Sequence, residues 1–224
     1  MDKIINQILD DETIKVLIEN KTIIAGGALR SYFNNSKIND FDFYFSDFNY
    51  FNNVQNYFRK KYQSEFNYES QSSVTFTIKN KQVQILRPYF GQPKDILEHF
   101  DFNVVKAYYD LKNNEYYYTE EFIYGNKSKN LKFSNNYKYY FSCLHRLKKY
   151  KENYGFNIDK SIKEILKSEL KKLSLLSNKE EIKIFINGED YKTFSLMLNL
   201  FNIEENEFNH MFFKSEILKF IEYL

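Results

Sequence analysis

Two carboxylates, an arginine and a pair of glycines fall within one short stretch of this sequence. Asp40 and Asp42 are separated by a single residue in Asn39-Asp40-Phe41-Asp42-Phe43-Tyr44-Phe45, and Gly26-Gly27-Ala28-Leu29-Arg30 lies just upstream. In an extended segment alternate side chains share a face, so the two carboxylates project together. Such a pair suits magnesium or manganese, hard cations that take oxygen ligands and fill their shell with water and substrate phosphates. Glycines between a strand and a helix let backbone amides approach an anion, and Arg30, one turn into the helix, offers paired donors to phosphate oxygens. Together these parts would hold a nucleoside triphosphate on metal while a hydroxyl attacks its α-phosphorus and pyrophosphate leaves.

The elements that must position them are legible from periodicity. Thr22 to Ala25 is a short β-branched run stopped by the glycines, which predicts a buried strand, and Ala28 to Phe33 predicts a helix opening off the turn. Asp40 to Phe45 alternates with period two, with Phe41, Phe43 and Phe45 on the face opposite the carboxylates. Upstream, the apolar positions of Lys3 to Ile18 predict a helix or a broken helical pair; downstream, Phe48 to Tyr62 returns to helical spacing. Strands are expected at Ser73 to Ile78 and Gln82 to Leu86 around a turn at 79–81, and the Arg87-Pro88 step is expected to end the pattern. Helices are expected over Lys94 to Phe100 and Val104 to Tyr109, a strand at Tyr116 to Tyr118, and a loop at Gly125 to Asn130. Beyond the loop the patterns are helical: Tyr137 to Asn153, Asp159 to Leu173, Lys179 to Ile186 and two segments up to Leu224. The class read from this order is α+β: a mixed-sheet head with flanking helices over residues 1–135, then an all-α region over 136–224 packed on it.

Composition narrows the partners. Lys and Arg number 32 against 30 Asp and Glu, so the net charge of +2 gives no field that argues for nucleic acid or membrane, and any such partner must be met by a local patch. A single cysteine, Cys143, excludes an intrachain disulfide framework and fits a reducing, intracellular compartment. No stretch approaches a membrane span, and no membrane partner is expected. Aromatic residues make up 19% of the chain, so they stand in for aliphatic core, and an aromatic run is weak evidence for base stacking. His99, His145 and His210 have no zinc spacing. The run Arg146, Lys148, Lys149, Lys151 reads first as a solvated helix face and second as a contact for nucleic-acid phosphates.

With these residues in hand, the chain resembles the nucleotidyltransferase superfamily that includes DNA polymerase β, in the branch of CCA-adding enzymes and bacterial poly(A) polymerases. Gly26-Gly27-Ala28-Leu29-Arg30 is similar to the glycine motif of that head domain, and Asp40-Phe41-Asp42 to its metal-binding Asp-x-Asp. Asp95 to Ala107 has the frame of a later motif in which Asp101, Phe102 and Ala107 match, while His99, Phe100 and Lys106 replace two arginines and an asparagine. Arg146 to Tyr150 and Tyr154 to Asp159 resemble the start of the helical neck. The resemblance implies catalytic and metal roles for Asp40 and Asp42, and nucleotide contacts for Gly26, Gly27, Arg30 and Asp101. The residues alone leave Asp101 evenly poised between a site carboxylate and a helix cap. Ser31 stands where an acidic residue usually follows the arginine, and Gln84 occupies a strand on which relatives can carry a third carboxylate.

Two functions follow as expectations. The first is a metal-dependent nucleotidyltransferase that passes a nucleoside monophosphate from a nucleoside triphosphate to a hydroxyl of an RNA end, a protein or a small molecule. The second is a catalytically degenerate protein of the same fold, binding or structural in role, as in a viral or phage assembly.

Overall fold

In the computed structural model of the protein, residues 1–70, 72–135, 140–187 and 193–224 are described. The chain divides into two compact units, Met1–Lys127 and Ser128–Leu224, where the sequence reading placed the boundary at 135.

The first unit is built on a seven-stranded mixed sheet. Its strands are β1 (Ile23–Ala25), β2 (Asp40–Phe45), β3 (Phe66–Glu69), β4 (Ser73–Ile78), β5 (Lys81–Phe90), β6 (Ala107–Asp110) and β7 (Glu115–Tyr118), in the spatial order β3-β4-β5-β2-β1-β6-β7. Only β2 and β5 run parallel, and every other neighbouring pair is antiparallel. Helices α1 (Asp2–Ile8), α2 (Asp11–Glu19), α3 (Gly27–Phe33), α4 (Phe48–Lys61), α5 (Pro93–Leu97) and α6 (Glu120–Ser128) flank it. The expected N-terminal helix is thus the broken pair α1 and α2. Asp10 makes the break stable by capping α2, its carboxylate accepting the Thr13 amide at 2.8 Å. Asp47 caps α4 in the same way, through the amides of Asn49 and Tyr50.

One face of the sheet is core. Phe41, Phe43, Val83, Ile85, Val74, Phe76 and Ile24 are all at most 1% exposed there, and α4 packs Phe51, Val54 and Phe58 against them. Burying each such side chain contributes roughly 1.5–3 kcal/mol, enough to fix which face of β2 is inward. The register Asp40↔Gln82 and Asp42↔Gln84 on β5, with Thr75↔Gln84 on β4, leaves a polar row on the opposite face.

Three expectations are corrected, and one strand is new. Val104 to Tyr109 is not helical: a short 3-10 turn at Asn103–Val105 gives way to β6, because β1 has a second open edge and takes Ala107–Asp110 as partner. Gly125 to Ser128 is not loop but the end of α6. Strand β5 runs past Pro88 to Phe90. Between the pairs Phe43↔Ile85 and Phe45↔Phe90 its ladder with β2 is irregular, and there a missing N–H costs no regular bond. Strand β3, at the edge and exposed along its length, carries no signal that sequence reading found.

In the second unit, β8 (Asn130–Leu131) and β9 (Asn157–Ile158) form a short parallel pair, so this part is not purely helical. Helices α7 (Leu144–Tyr154), α8 (Lys160–Ser174), α9 (Lys179–Asn187), α10 (Thr193–Leu200) and α11 (His210–Tyr223) make up the rest. The expected helix from Tyr137 opens on residues outside those described, and becomes a 3-10 turn at Tyr140–Cys143 followed by α7. Cys143 is buried. Among the described residues no helix is long and apolar enough to cross a membrane.

Candidate active site

The strand β1, the turn at Gly26 and helix α3 form one corner of the polar face, and β2 brings its carboxylates to that corner. Ala25 pairs with Asp42, so the residue entering the turn lies beside the second carboxylate. Gly26 takes φ +80° and ψ −134°, a conformation that favours glycine. A Cβ there would meet Asp42 Oδ2 and the Phe100 ring, each at 3.7 Å, whereas a Cβ on Gly27 would meet nothing within 4 Å. The two glycines therefore do different things. Gly26 makes the turn against Asp42, and Gly27 faces open space at the start of α3.

The amide of Gly26 already donates to the Ala107 carbonyl at 3.3 Å, which ties the turn to β6. The carbonyl of Gly26 accepts from Leu29 and Arg30 and starts the helix. As the first residues of α3, Gly27 and Ala28 carry amides that have no partner within the helix. Arg30 is 7% exposed and its guanidinium donates to Ser31 Oγ at 3.1 Å, so the serine standing in place of an acidic residue is the arginine's neighbour. Its carbonyl is fastened by Asn34 Nδ2 at 2.8 Å, and Asn34 in turn donates to Asn126 Oδ1 at 2.7 Å on α6. Asn126 completes the chain by donating to the Val104 carbonyl. The end of the arginine helix is thereby anchored to the segment that carries Asp101.

Asp42 is half-buried, with Oδ1 enclosed and without a hydrogen-bond partner. Burial first, and the nearby Asp40 carboxylate second, push its carboxyl up from 3.8 to about 7. A buried carboxylate of this kind is costly unless a cation or donor meets it. The row running from Asp42 through Gln84 reaches Thr75, whose Oγ1 is likewise buried and unpartnered. Among the described residues no group of three His, Cys, Asp or Glu could hold a metal ion. The donor set is therefore two carboxylates backed by neutral oxygens, which fits a hard divalent cation that draws its remaining ligands from water and phosphate.

Phe100 is the residue that sequence reasoning missed at this corner. It is 8% exposed, packs on Tyr44 with ring centroids 5.6 Å apart, and lies against Gly26. The sequence resemblance put an arginine at this position, but nothing in the sequence placed Phe100 over the glycine turn. Asp101, beside it, is 8% exposed; the cap of the following 3-10 turn is Phe102. Lys106 is 5% exposed and held by Glu98 at 3.2 Å and Glu121 at 3.6 Å. Lys37, in the loop before β2, is exposed.

The model of the Gabija anti-defense 2 family matches residues 1–129, more than half of the chain. The chain belongs to the Gabija anti-defense 2 family. A relative named Gabija anti-defense 2, from Bacillus phage SPbetaL7, is 31% identical over 146 residues, which is 63% of this chain and 36% of the relative. The chain thus spans about a third of the length of that relative. Among solved structures, a CCA-adding enzyme in complex with CTP superposes with a TM-score of 0.62 at 12% identity, over 98% of this chain and 52% of that one. The complex with ATP gives 0.62 at 13% identity, over 97% and 52%. The Thermotoga maritima CCA-adding enzyme complexed with tRNA gives 0.57 at 11% identity, over 90% and 54%. The fold is therefore that of the nucleotidyltransferases, as the ordered motifs implied, in a chain about half the length of those enzymes.

Proposed function

We propose that this chain is a metal-dependent nucleotidyltransferase and that it serves the anti-defense role for which its family is named. The observation that carries the reading is Asp42, on the same strand face as Asp40, with its Oδ1 buried and unpartnered and its Oδ2 against the Gly26 turn. Asp40 and Asp42 would hold magnesium or manganese, which when bound supplies positive charge to the triphosphate and to the attacking and leaving oxygens. The amides of Gly27 and Ala28 and the guanidinium of Arg30 would hold the phosphates, with Asp101 on the nucleotide side. An acceptor hydroxyl then gives up its proton to water and forms the new bond to the α-phosphorus, the bond to the bridging oxygen breaks, and pyrophosphate leaves. What the chain contributes is position and fixed charge, with β2 held rigid by its phenylalanines. The acceptor is an RNA end, a protein or a small molecule.

The test is transfer of label from each α-labelled nucleoside triphosphate, with magnesium or manganese, to RNA and to protein from a Gabija-bearing host. The double change Asp40→Asn with Asp42→Asn is expected to abolish transfer, and transfer that survives it sinks the assignment.

Phe100 and Gln84 favour a second reading, in which the fold binds without catalysis. An aromatic ring occupies the place of a cation over the glycine turn, and the row beside Asp42 has no third carboxylate. Under that reading neither the wild type nor Phe100→Ala melts higher with magnesium and any nucleotide. Under the first reading the wild type does.

A further inference from the structure

Charge is unevenly distributed in the second unit. Residues 128–175 hold 12 Lys and Arg against 4 Asp and Glu, whereas 176–224 hold 5 against 9. Within the basic part, the run singled out on α7 is largely engaged. Lys151 donates to the Tyr223 carbonyl and lies 3.9 Å over the Tyr223 ring, Lys149 lies 5.6 Å over Tyr154, and Arg146 is half-buried.

Helix α8 is different. Its inward side, Ile162, Leu166 and Leu173, is fully buried, and α11 packs against this helix. At about 100° per residue, Lys160, Lys163, Lys167 and Lys171 fall within a sector of roughly 80° that flanks the buried side and begins about 60° from Leu166; Lys160, Lys167 and Lys171 are exposed and Lys163 is half-buried. Lys160 pairs with Glu164 at 3.5 Å, but Lys163, Lys167 and Lys171 make no ion pair among the described residues. These three are spaced i, i+4, i+8, so each faces a like charge one turn away. That arrangement destabilises a helix, whereas a merely solvated face gains by interleaving acids at the same spacing. Lys172, just off the stripe, does pair, with Glu169 at 2.6 Å. The stripe is a row of unneutralised cations about 12 Å long, set by the rise of the helix.

We propose that the Lys163-Lys167-Lys171 stripe of α8 is a binding surface for the sugar-phosphate backbone of a nucleic acid. A linear polyanion satisfies a linear row of like charges, and lysine, a point charge on a flexible stem, suits phosphates without reading sequence. This goes beyond the nucleotidyltransferase reading, which needs nothing from the helical unit, and it stands or falls separately.

The experiment is fluorescence anisotropy of a labelled RNA hairpin and a labelled DNA duplex with the full chain, titrated over salt. Binding is expected to weaken steeply with salt. The triple change Lys163→Gln, Lys167→Gln, Lys171→Gln is expected to make the log–log slope shallower by about two to three and to weaken binding on the order of 10- to 100-fold at low salt. Lys219→Gln, which removes a lysine paired with Glu216, is expected to leave both unchanged. Melting of the triple variant should be equal to or above that of the wild type, since like-charge repulsion is relieved; this separates lost contacts from lost fold. The anisotropy needs neither metal nor triphosphate, so failure of the catalytic reading leaves this one standing. An unchanged slope in the triple variant, no binding at low salt, or binding to phosphatidylserine vesicles in preference to both probes overturns the proposal.

Discussion

Replacing Asp42 by asparagine should stabilise the metal-free protein while removing its response to metal and nucleotide. The magnitude follows from the site. The carboxyl of Asp42 is raised from 3.8 to about 7 by burial and by Asp40. A group whose folded-state pKa is raised binds its proton more tightly folded than unfolded. Its stabilising effect is therefore complete below about 3.8 and is lost as pH rises towards 7, where the buried carboxyl must ionise. A rise from 3.8 to about 7 corresponds to at most about 4 kcal/mol, and partial access of water and relaxation reduce this to about 2. Asparagine at this position carries no charge at any pH, so the variant should melt higher than the wild type near pH 8 by roughly 4–8 °C, taking 2–4 °C per kcal/mol for a chain of this size. The gap should narrow as pH falls through 7 and close only well below 3.8, where the wild-type carboxyl is protonated in both states. With magnesium and a bound triphosphate the order should reverse. At a hundredfold excess over Kd the wild type gains about 2.7 kcal/mol and the variant nothing. The assay is melting by circular dichroism over a pH series, with chelator and then with magnesium and nucleotide. A metal-free variant that melts below the wild type at pH 8, or a gap independent of pH, refutes the idea that Asp42 is an uncompensated buried carboxyl awaiting a cation.

Other substitutions separate the parts of the corner. Gly26→Ala places a side chain at φ +80° and should cost about 1–3 kcal/mol, whereas Gly27→Ala meets open space and should leave melting within about 1 kcal/mol of the wild type or raise it. Gly125→Ala drives a Cβ to 2.3 Å from Asn103 Nδ2 and 3.0 Å from Val104 Cγ1, and denaturant melts should show a loss of about 1–3 kcal/mol. In the second unit, Asp159→Ala removes the cap of α8, whose carboxylate accepts the Ser161 amide at 3.0 Å. It should cost about 1 kcal/mol, seen as faster amide exchange in the first turn of that helix.

The sequence by itself determined the elements whose signals are local. The period-two alternation of Asp40–Phe45 put both carboxylates on one face and the phenylalanines on the other. The stop at Gly26-Gly27 set strand before helix, and the apolar spacing of α4 and α8 placed those helices, because each of these is a matter of neighbours a few residues apart. Tertiary structure decided what depends on a distant partner. Ala107–Asp110 is a strand only because β1 offers it an edge, and its Ala107 carbonyl then takes the Gly26 amide. Gly125 and Asn126 look like a loop by type, yet they sit in a helix because a missing side chain admits Asn103 and the Asn126 amide satisfies Val104. The state of the candidate site is of the same kind. That Asp42 is half-buried and unpartnered, and that Phe100 covers the glycine turn, follows from burial and from segments distant in sequence being packed together. No window of sequence contains both sides of such a contact.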